Sequence, residues 1–187
     1  MKIGFIGQGW IGRNYADDFE NRGYEVVRYA LEEPYLKNKD RIAQCDMVFI
    51  AVPTPTTSEG FDDSYLQKTL PLIGTGKIAV IKSTVMPGTT LKLQKEHLDK
   101  IILHSPEFLV EKTAAYNAAH PDRNIVGIPF DKIIYKESAE LVMSVLPQAV
   151  YQKIMTSVDA ELVKYANNCF LYTKVVYESL VRPCGGY

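Results

Sequence analysis

Three glycines near the start of the chain, at positions 7, 9 and 12, form the pattern Gly-x-Gly-x-x-Gly with Trp10 and Ile11 inside it. They follow a short apolar run and precede a stretch of helical character. In such a turn the first glycine permits a tight bend, the second lets the backbone approach a pyrophosphate, and the third allows close helix–strand packing. Backbone N–H groups at the helix start then face the anion. The pattern predicts dinucleotide binding at Gly7, Gly9, Trp10, Ile11 and Gly12, with a purely structural turn as the alternative.

The end of the second predicted strand departs from the usual dinucleotide-binding pattern. An acidic residue is expected there to bind the ribose hydroxyls, and this sequence has Ala30. Glu32 and Glu33 lie just beyond; one of them can reach the ribose, or both can belong to a solvated acidic loop. Because their negative charge disfavours a 2′-phosphate, we predict Glu32 as a cofactor contact and NAD rather than NADP as the cofactor.

Polar residues of other types follow the later strands. Thr84 and Glu107 fall just past predicted strand ends, where ligands bind in parallel α/β sheets. Glu107 and Glu111 are four residues apart and would share a face if their segment is helical. Lys164 and Asn168 have the same spacing and lie on one face of a long predicted helix.

The elements that must position these residues alternate regularly along the chain. Strands are predicted at 3–6, 24–29, 46–52, 77–82, 100–103 and 124–128. Helices are predicted at 10–22, within 32–44, at 62–72, from 87 onward, at 132–146 and, after a capping box at 156–159, at 160–180. This order predicts an α/β fold, a Rossmann-type doubly wound parallel sheet followed by a long C-terminal helix. The predicted domains are a dinucleotide-binding domain over 1–155 and the helix and tail over 156–187.

Composition excludes several classes of partner. Lys and Arg number 21 against 22 for Asp and Glu, which gives no electrostatic reason to expect nucleic acid or an anionic membrane. No stretch approaches the roughly 20 apolar residues that span a bilayer. The three cysteines are few and widely spaced, which favours free thiols in a reducing compartment over a disulfide framework or a zinc site. We therefore expect no metal and a cytoplasmic location.

Five segments, in order, resemble the UDP-glucose/GDP-mannose dehydrogenase family. The first is the glycine turn, and the others follow later strands or begin the long helix. They read VPTPT (52–56), KSTV with PGTT (82–85 and 87–90), SPEFLVE with PDR and VG (105–111, 121–123 and 126–127), and AELVKYANN (160–168). The resemblance covers nearly the whole chain. It implies two α/β domains joined by a long central helix, of which this sequence would hold the first domain and the helix.

The resemblance also implies roles for individual residues. Members of the family oxidise the 6-hydroxyl of a sugar nucleotide twice with NAD. By resemblance, Lys164 and Asn168 would stabilise the oxyanion at that carbon, a role that suits an ammonium and an amide donor. Thr84 would orient the reacting oxygen or a water, and Glu107 and Glu111 would bind substrate and assist proton transfer, with Glu111 the better base. Four further cofactor contacts are implied, namely Val52, Pro53, Thr54 and Thr84.

One expected residue of the family pattern is missing. The second oxidation passes through a cysteine thiolate, which lies well beyond the long helix in a glycine-rich segment. Cys184 stands only 20 residues after Lys164 in different surroundings, so we interpret it as a tail residue, and Cys169 as a buried, inert helix thiol. The expected activity is therefore a single oxidation step on a nucleotide sugar. The long helix would expose Phe170 and its apolar neighbours, which predicts a homodimer through that helix.

Two alternatives stay open. A compact hydroxyacid dehydrogenase of the 6-phosphogluconate type also pairs a Rossmann domain with Lys and Asn on a following helix, although the segments at 52–56 and 105–111 favour the sugar-nucleotide family. The second alternative is non-enzymatic: a truncated relative that binds NAD or a nucleotide sugar, or that acts as a partner subunit. Ala30 and the missing cysteine favour that class. The enzyme is favoured by the retention of five residues, namely Thr84, Glu107, Glu111, Lys164 and Asn168.

Overall fold

A computed structural model describes residues 1–181 of the 187-residue chain. Its main feature is a seven-stranded sheet in the order β2-β1-β3-β6-β7-β8-β9. The strands are β1 Lys2–Ile6, β2 Glu25–Tyr29, β3 Met47–Ile50, β6 Ile78–Ile81, β7 Ile101–His104, β8 Arg123–Ile128 and β9 Tyr151–Thr156. A small hairpin, β4 Thr56–Thr57 with β5 Gly60–Phe61, stands apart from it. The chain returns past β1 to form β3, so the strand order reverses between these two strands.

Helices cover both faces of the sheet. They are α1 Trp10–Asn21, α2 Ser64–Thr69, α3 Thr89–Glu96, α4 Ala114–Ala119, α5 Ile133–Val145 and α6 Ser157–Val181, with 3-10 helices at Leu36–Gln44, Leu70–Leu72 and Glu111–Thr113. One face buries a cluster around Phe5, Phe19 and Phe49, in which the Phe5 and Phe49 rings stack at 5.1 Å. The other face buries a second cluster that includes Ile42 and Leu93. Because both faces are covered, the central strands are continuous apolar runs rather than alternating ones.

The long helix α6 begins at a capping box and packs against β8. The backbone N–H of Asp159 donates to the Thr156 hydroxyl at 3.2 Å, and that hydroxyl donates to the Asp159 carboxylate. Gly127 of β8 allows the close approach, since a Cβ added there would lie 2.7 Å from the Ser157 Cα. The first turns bury Ser157, Ala160, Glu161 and Lys164, which recur at helical spacing. Beyond Lys164 the helix is largely exposed.

The predicted fold class is confirmed, with two differences in detail. All neighbouring main-sheet strands pair in parallel except β7 and β8, which are antiparallel, so β8 and β9 run opposite to the others. The sequence analysis also missed β9, which is an edge strand with three exposed residues at its start and no apolar run. No helix within residues 1–181 combines the length and apolar character that crossing a membrane requires.

Candidate functional site

A cavity of about 690 Å³ opens where the strand order reverses, at the carboxyl ends of β1, β2 and β3. This is the place where open α/β sheets bind ligands, and the volume suits a cofactor. Seven of the predicted cofactor residues line it, namely Gly7, Gly9, Trp10, Ile11, Glu32, Val52 and Pro53. Gly12, Thr54 and Thr84 do not line it.

The glycine turn is built to bring backbone close to a ligand. Gly7 has a φ of +89°, and a Cβ there would lie 2.2 Å from the Ala51 carbonyl oxygen, so only glycine fits. At Gly12 a Cβ would lie 2.0 Å from the Gly7 oxygen, which places α1 directly against the turn. At Gly9 no protein atom lies within 4 Å of an added Cβ. The open space above Gly9 leaves room for a pyrophosphate, so the residues present fit a dinucleotide.

Sequence reasoning missed one wall of this cavity. Tyr65, Lys68, Thr69 and Leu72 line it from α2 and the 3-10 helix that follows. Their spacing of three, four and seven residues is that of a single helical face, and this is the signal that could have found them. Lys39 also lines the cavity, as does the Tyr29–Leu31 segment at the end of β2.

The second part of the site is a buried ion pair. Glu107, in the loop after β7, and Lys164, on α6, are both about 5% exposed, and the Lys164 ammonium donates to Glu107 Oε1 at 2.7 Å. The other carboxylate oxygen accepts the backbone N–H of Leu109 at 2.7 Å. The Phe108 ring has the Arg123 guanidinium 4.6 Å from its centroid and the Lys164 ammonium 5.6 Å from it. The Lys164 ammonium uses one N–H to bind Glu107, so its positive charge and its other N–H groups can interact with a ligand.

Three further titratable groups lie buried near this pair. Burial lowers the pKa of Lys82 to about 7, while the charge of Glu107 raises it and that of Lys164 lowers it. The Lys82 ammonium contacts the Ser105 hydroxyl at 3.3 Å and lies 4.2 Å from the Tyr15 ring centroid. Burial also lowers the pKa of His104 to about 3, and neither ring nitrogen has a hydrogen-bond partner within residues 1–181. Burial raises the pKa of Tyr15. Lys82, Tyr15 and His104 were not among the predicted site residues.

The segment that holds Thr84 is tied to the end of β3. The Ser83 hydroxyl accepts the N–H of Val52 at 3.0 Å and donates to its carbonyl at 2.7 Å. The Thr54 hydroxyl donates to the Thr84 carbonyl at 2.6 Å. Thr54 and Thr84 therefore join the two loops that follow β3 and β6, and Thr84 itself is half-buried.

Several predicted site residues lie away from the Glu107–Lys164 ion pair. The segment 105–110 is not helical, so the common helical face for Glu107 and Glu111 does not form; Glu111 is exposed at the start of a 3-10 helix. Asn168 lies on α6 one turn beyond Lys164, as predicted, and is exposed. Cys169 is also exposed, so its description as a buried thiol was wrong, because α6 leaves the domain before reaching it. Cys184 lies outside the described residues.

Comparison with known proteins decides the family. Residues 35–146, more than half of the chain, match the model of the UDP-glucose/GDP-mannose dehydrogenase family, NAD binding domain. The chain belongs to this family. The match confirms the predicted resemblance and NAD as the cofactor of the domain. It does not include the glycine turn or Lys164, so the roles of those residues depend on the structure.

Relatives agree with this assignment. The chain is 30% identical to a UDP-glucose 6-dehydrogenase of Rickettsia conorii, over 85% of this chain and 39% of that protein. It is 26% identical to the UDP-glucose 6-dehydrogenase AglM of Haloferax volcanii, over 94% of this chain and 52% of the relative. The structure of a UDP-glucose dehydrogenase from Pyrobaculum islandicum superimposes with a TM-score of 0.79 at 25% identity, over 91% of this chain and 49% of that one. The chain thus spans about half, or less, of the length of these relatives.

Proposed function

We propose that this chain is the NAD-binding half of a nucleotide-sugar 6-dehydrogenase and oxidises a CH–OH group of a nucleotide sugar. The observation that carries the proposal is the buried Glu107–Lys164 pair, which lies at the sheet edge where β7 ends, the same edge as the cofactor cavity. The division that goes with this function is a cofactor domain over 1–155 and a helix and tail over 156–187.

The chemistry follows from the charges at the site. Oxidation of an alcohol removes a proton from oxygen and a hydride from carbon; when bound, NAD would accept the hydride. Lys164 donates a hydrogen bond to the oxygen as negative charge develops there, because an ammonium in a water-poor site stabilises an oxyanion strongly. Glu107 holds the ammonium in place through its 2.7 Å hydrogen bond.

Three predicted residues complete the proposed site. Thr84 orients the reacting oxygen, since its segment is fixed through Ser83 and Thr54. Glu111 is the base that takes the proton, and Asn168 is the second oxyanion donor. Both are exposed in the structure. We infer that they contribute when substrate, or another part of the assembly, covers this edge of the domain.

Assembly and location form part of the proposal. The second half of α6 exposes large apolar side chains: Phe170 is 69% exposed, Leu171 50%, Val175 62% and Val176 40%. An apolar surface of this kind marks an interface. We propose that a second copy of the chain covers it, giving a homodimer. The free thiols of Cys45 and Cys169 favour a reducing compartment, and we propose the cytoplasm.

The alternative is a subunit that binds NAD or a nucleotide sugar without turning it over. The exposure of Glu111 and Asn168 favours this alternative, because neither is held against the Glu107–Lys164 pair. The two functions differ in one measurable respect: both predict binding of NAD, and only the first predicts production of NADH.

The test is an NADH-absorbance assay with a panel of nucleotide sugars, run with wild type, Lys164→Met and the control Lys153→Met. Lys153 is exposed on β9, so its substitution should leave turnover unchanged. Loss of Lys164 should lower kcat by about 10²–10³-fold, as for loss of one oxyanion donor, and leave the thermal shift caused by NAD intact. An NAD-dependent thermal shift with no turnover would establish the alternative, and turnover unaffected by Lys164→Met would refute the site.

A further inference from the structure

Glu161 is a fully buried carboxylate that has no part in the chemistry proposed above. It lies on α6 three residues before Lys164, and its exposed fraction is 0%. Its two oxygens accept hydrogen bonds from the start of α3: Oε2 from the backbone N–H of Gly88 at 2.5 Å and Oε1 from that of Thr90 at 2.8 Å. Glu161 and Gly88 are 73 residues apart in sequence, so this hydrogen bond joins two distant parts of the chain.

This contact caps a helix that has no cap of its own. The N-terminal N–H groups of a helix have no partners within it, and Gly88, at the N-cap position of α3, carries no side chain to supply one. A carboxylate there also interacts favourably with the positive end of the helix. Burial raises the pKa of Glu161, and the hydrogen bonds from Thr90 and Gly88 oppose that rise. The carboxylate is therefore held at this point by its partners against the cost of burial.

The segment that Glu161 caps is the one that carries Thr84. Residues 85–88 connect two fixed points. At one end Ser83 is hydrogen-bonded to Val52 and the Thr84 carbonyl accepts from the Thr54 hydroxyl; at the other end Gly88 and Thr90 donate to Glu161. Gly88 has a φ of +96°, so the chain turns sharply into α3 immediately after the segment. Without Glu161, the two hydrogen bonds that join the start of α3 to α6 would be lost.

We propose that Glu161 is a positioning residue that fixes the Thr84 segment relative to Lys164. One turn of α6 then carries both the cap of the Thr84 loop and the ammonium, so the two parts of the proposed site move as one unit. This inference rests on the proposed function for its effect on turnover. Its structural part, a fixed distance between α3 and Lys164, is measurable without turnover.

The test is Glu161→Gln, compared with Glu140→Gln as the control. Glutamine keeps the size of the side chain, but its amide NH₂ would face one of the two backbone N–H donors, so one hydrogen bond is lost. Glu140 is an exposed carboxylate on α5, outside the proposed site. Hydrogen exchange of the Gly88 and Thr90 amides should accelerate by about tenfold or more in Glu161→Gln, because a charged hydrogen bond protects them in wild type.

Two further readouts separate positioning from simple stability. In Glu161→Gln the side-chain NMR signals of Lys164 should shift and kcat should fall by about tenfold, while KM for NAD stays within about twofold of wild type. Glu161→Asp, which keeps the charge, should retain more of the activity. Glu140→Gln should match wild type in every measurement.

The outcomes decide the inference independently of the proposed function. If wild type shows no turnover, the proposed function fails. The role of Glu161 is then decided by two other measurements, the amide exchange of Gly88 and Thr90 and the side-chain NMR signals of Lys164. Unchanged exchange at Gly88 and Thr90 would overturn the inference. The inference would also be overturned if amide exchange became faster while the Lys164 signals and kcat stayed at their wild-type values, because Glu161 would then be a local cap only.

Discussion

Gly9 and Gly12 stand three residues apart in one turn, yet a methyl group added to each would meet different surroundings. At Gly9 it would enter open space on the cavity side, and at Gly12 it would collide with the Gly7 carbonyl oxygen at 2.0 Å. The sequence pattern predicted both as cofactor residues, with Gly9 allowing the approach of a pyrophosphate and Gly12 allowing close helix–strand packing. Their surroundings are consistent with this division, because Gly9 faces open space and Gly12 packs α1 against the turn.

Substitution by alanine should therefore separate binding from stability. Gly9→Ala should weaken NAD binding by about tenfold or more, because its methyl group occupies the space into which a pyrophosphate would fit, with little change in the thermal midpoint. Gly12→Ala should lower the free energy of unfolding by about 1–3 kcal/mol or more, since backbone must move. Calorimetry with NAD and chemical denaturation measure the two effects. Equal loss of stability in both variants would contradict this assignment.

The lowered pKa of the buried Lys82 should make the free energy of unfolding depend on pH. Burial lowers its pKa to about 7 in the folded state, from the ordinary value of 10.5. Above pH 7 the unfolded chain therefore binds more protons at this residue than the folded chain, so stability should rise with pH, by at most about 1.4 kcal/mol per pH unit. Lys82→Met should remove this rise between roughly pH 7 and 8.5, below the range in which Cys45, with its raised pKa, titrates.

Denaturation of wild type and Lys82→Met across that pH range provides the measurement. Methionine keeps the volume of the side chain and removes the buried charge, so the variant should fold. Parallel pH profiles for the two proteins would show that Lys82 does not titrate there.

At the scale of the elements, α6 determines both the site and the surface of the domain. One face of its first two turns is buried because Gly127 lets the helix approach β8, and this face brings Glu161 to α3 and Lys164 to Glu107. Beyond Lys164 it leaves the domain and exposes apolar side chains on several sides. A helix with apolar residues around much of its circumference normally lies buried.

The exposed half of α6 should therefore mediate association. We expect a dimer in light scattering, with Phe170→Glu and Val175→Glu shifting it to monomer without lowering the thermal shift caused by NAD, since the cofactor cavity lies elsewhere. The exposed Val150, at 100% exposure before β9, provides the control as Val150→Glu. A monodisperse wild-type monomer would contradict the homodimer.

Sequence patterns predicted the elements whose buried residues form a continuous or periodic apolar pattern, and they missed elements that bury few residues. The central strands and α6 were predictable because buried strands are continuous apolar runs and the helix has a capping box. The strand β9 was not, since YQKIMT lies at an edge and buries little. The reversal at β8 depends on how the chain crosses the sheet after α4, which leaves no periodic signal. Glu107 and Lys164 were found through family motifs, whereas their 2.7 Å contact depends on a loop that the spacing had suggested as helix.

At the scale of the whole molecule, two sites share one edge of the sheet. The cofactor cavity lies beyond β1, β2 and β3, and the Glu107–Lys164 pair lies beyond β7, with the Thr84 segment after β6 between them in strand order. Glu161 and Ser83 fix that segment from its two ends. The proposed function requires such an arrangement, because cofactor and substrate must lie close together for hydride transfer.

The most direct test of this account is an NMR titration of the wild-type chain, first with NAD and then with a nucleotide sugar in the presence of NADH. The account predicts that NAD shifts the backbone amides of Gly7, Gly9 and Ile11, and that the nucleotide sugar then shifts the side-chain signals of Lys164 and the amide of Leu109. Saturating NAD that leaves the glycine-turn amides unmoved, or a nucleotide sugar that leaves Lys164 unmoved, would contradict it.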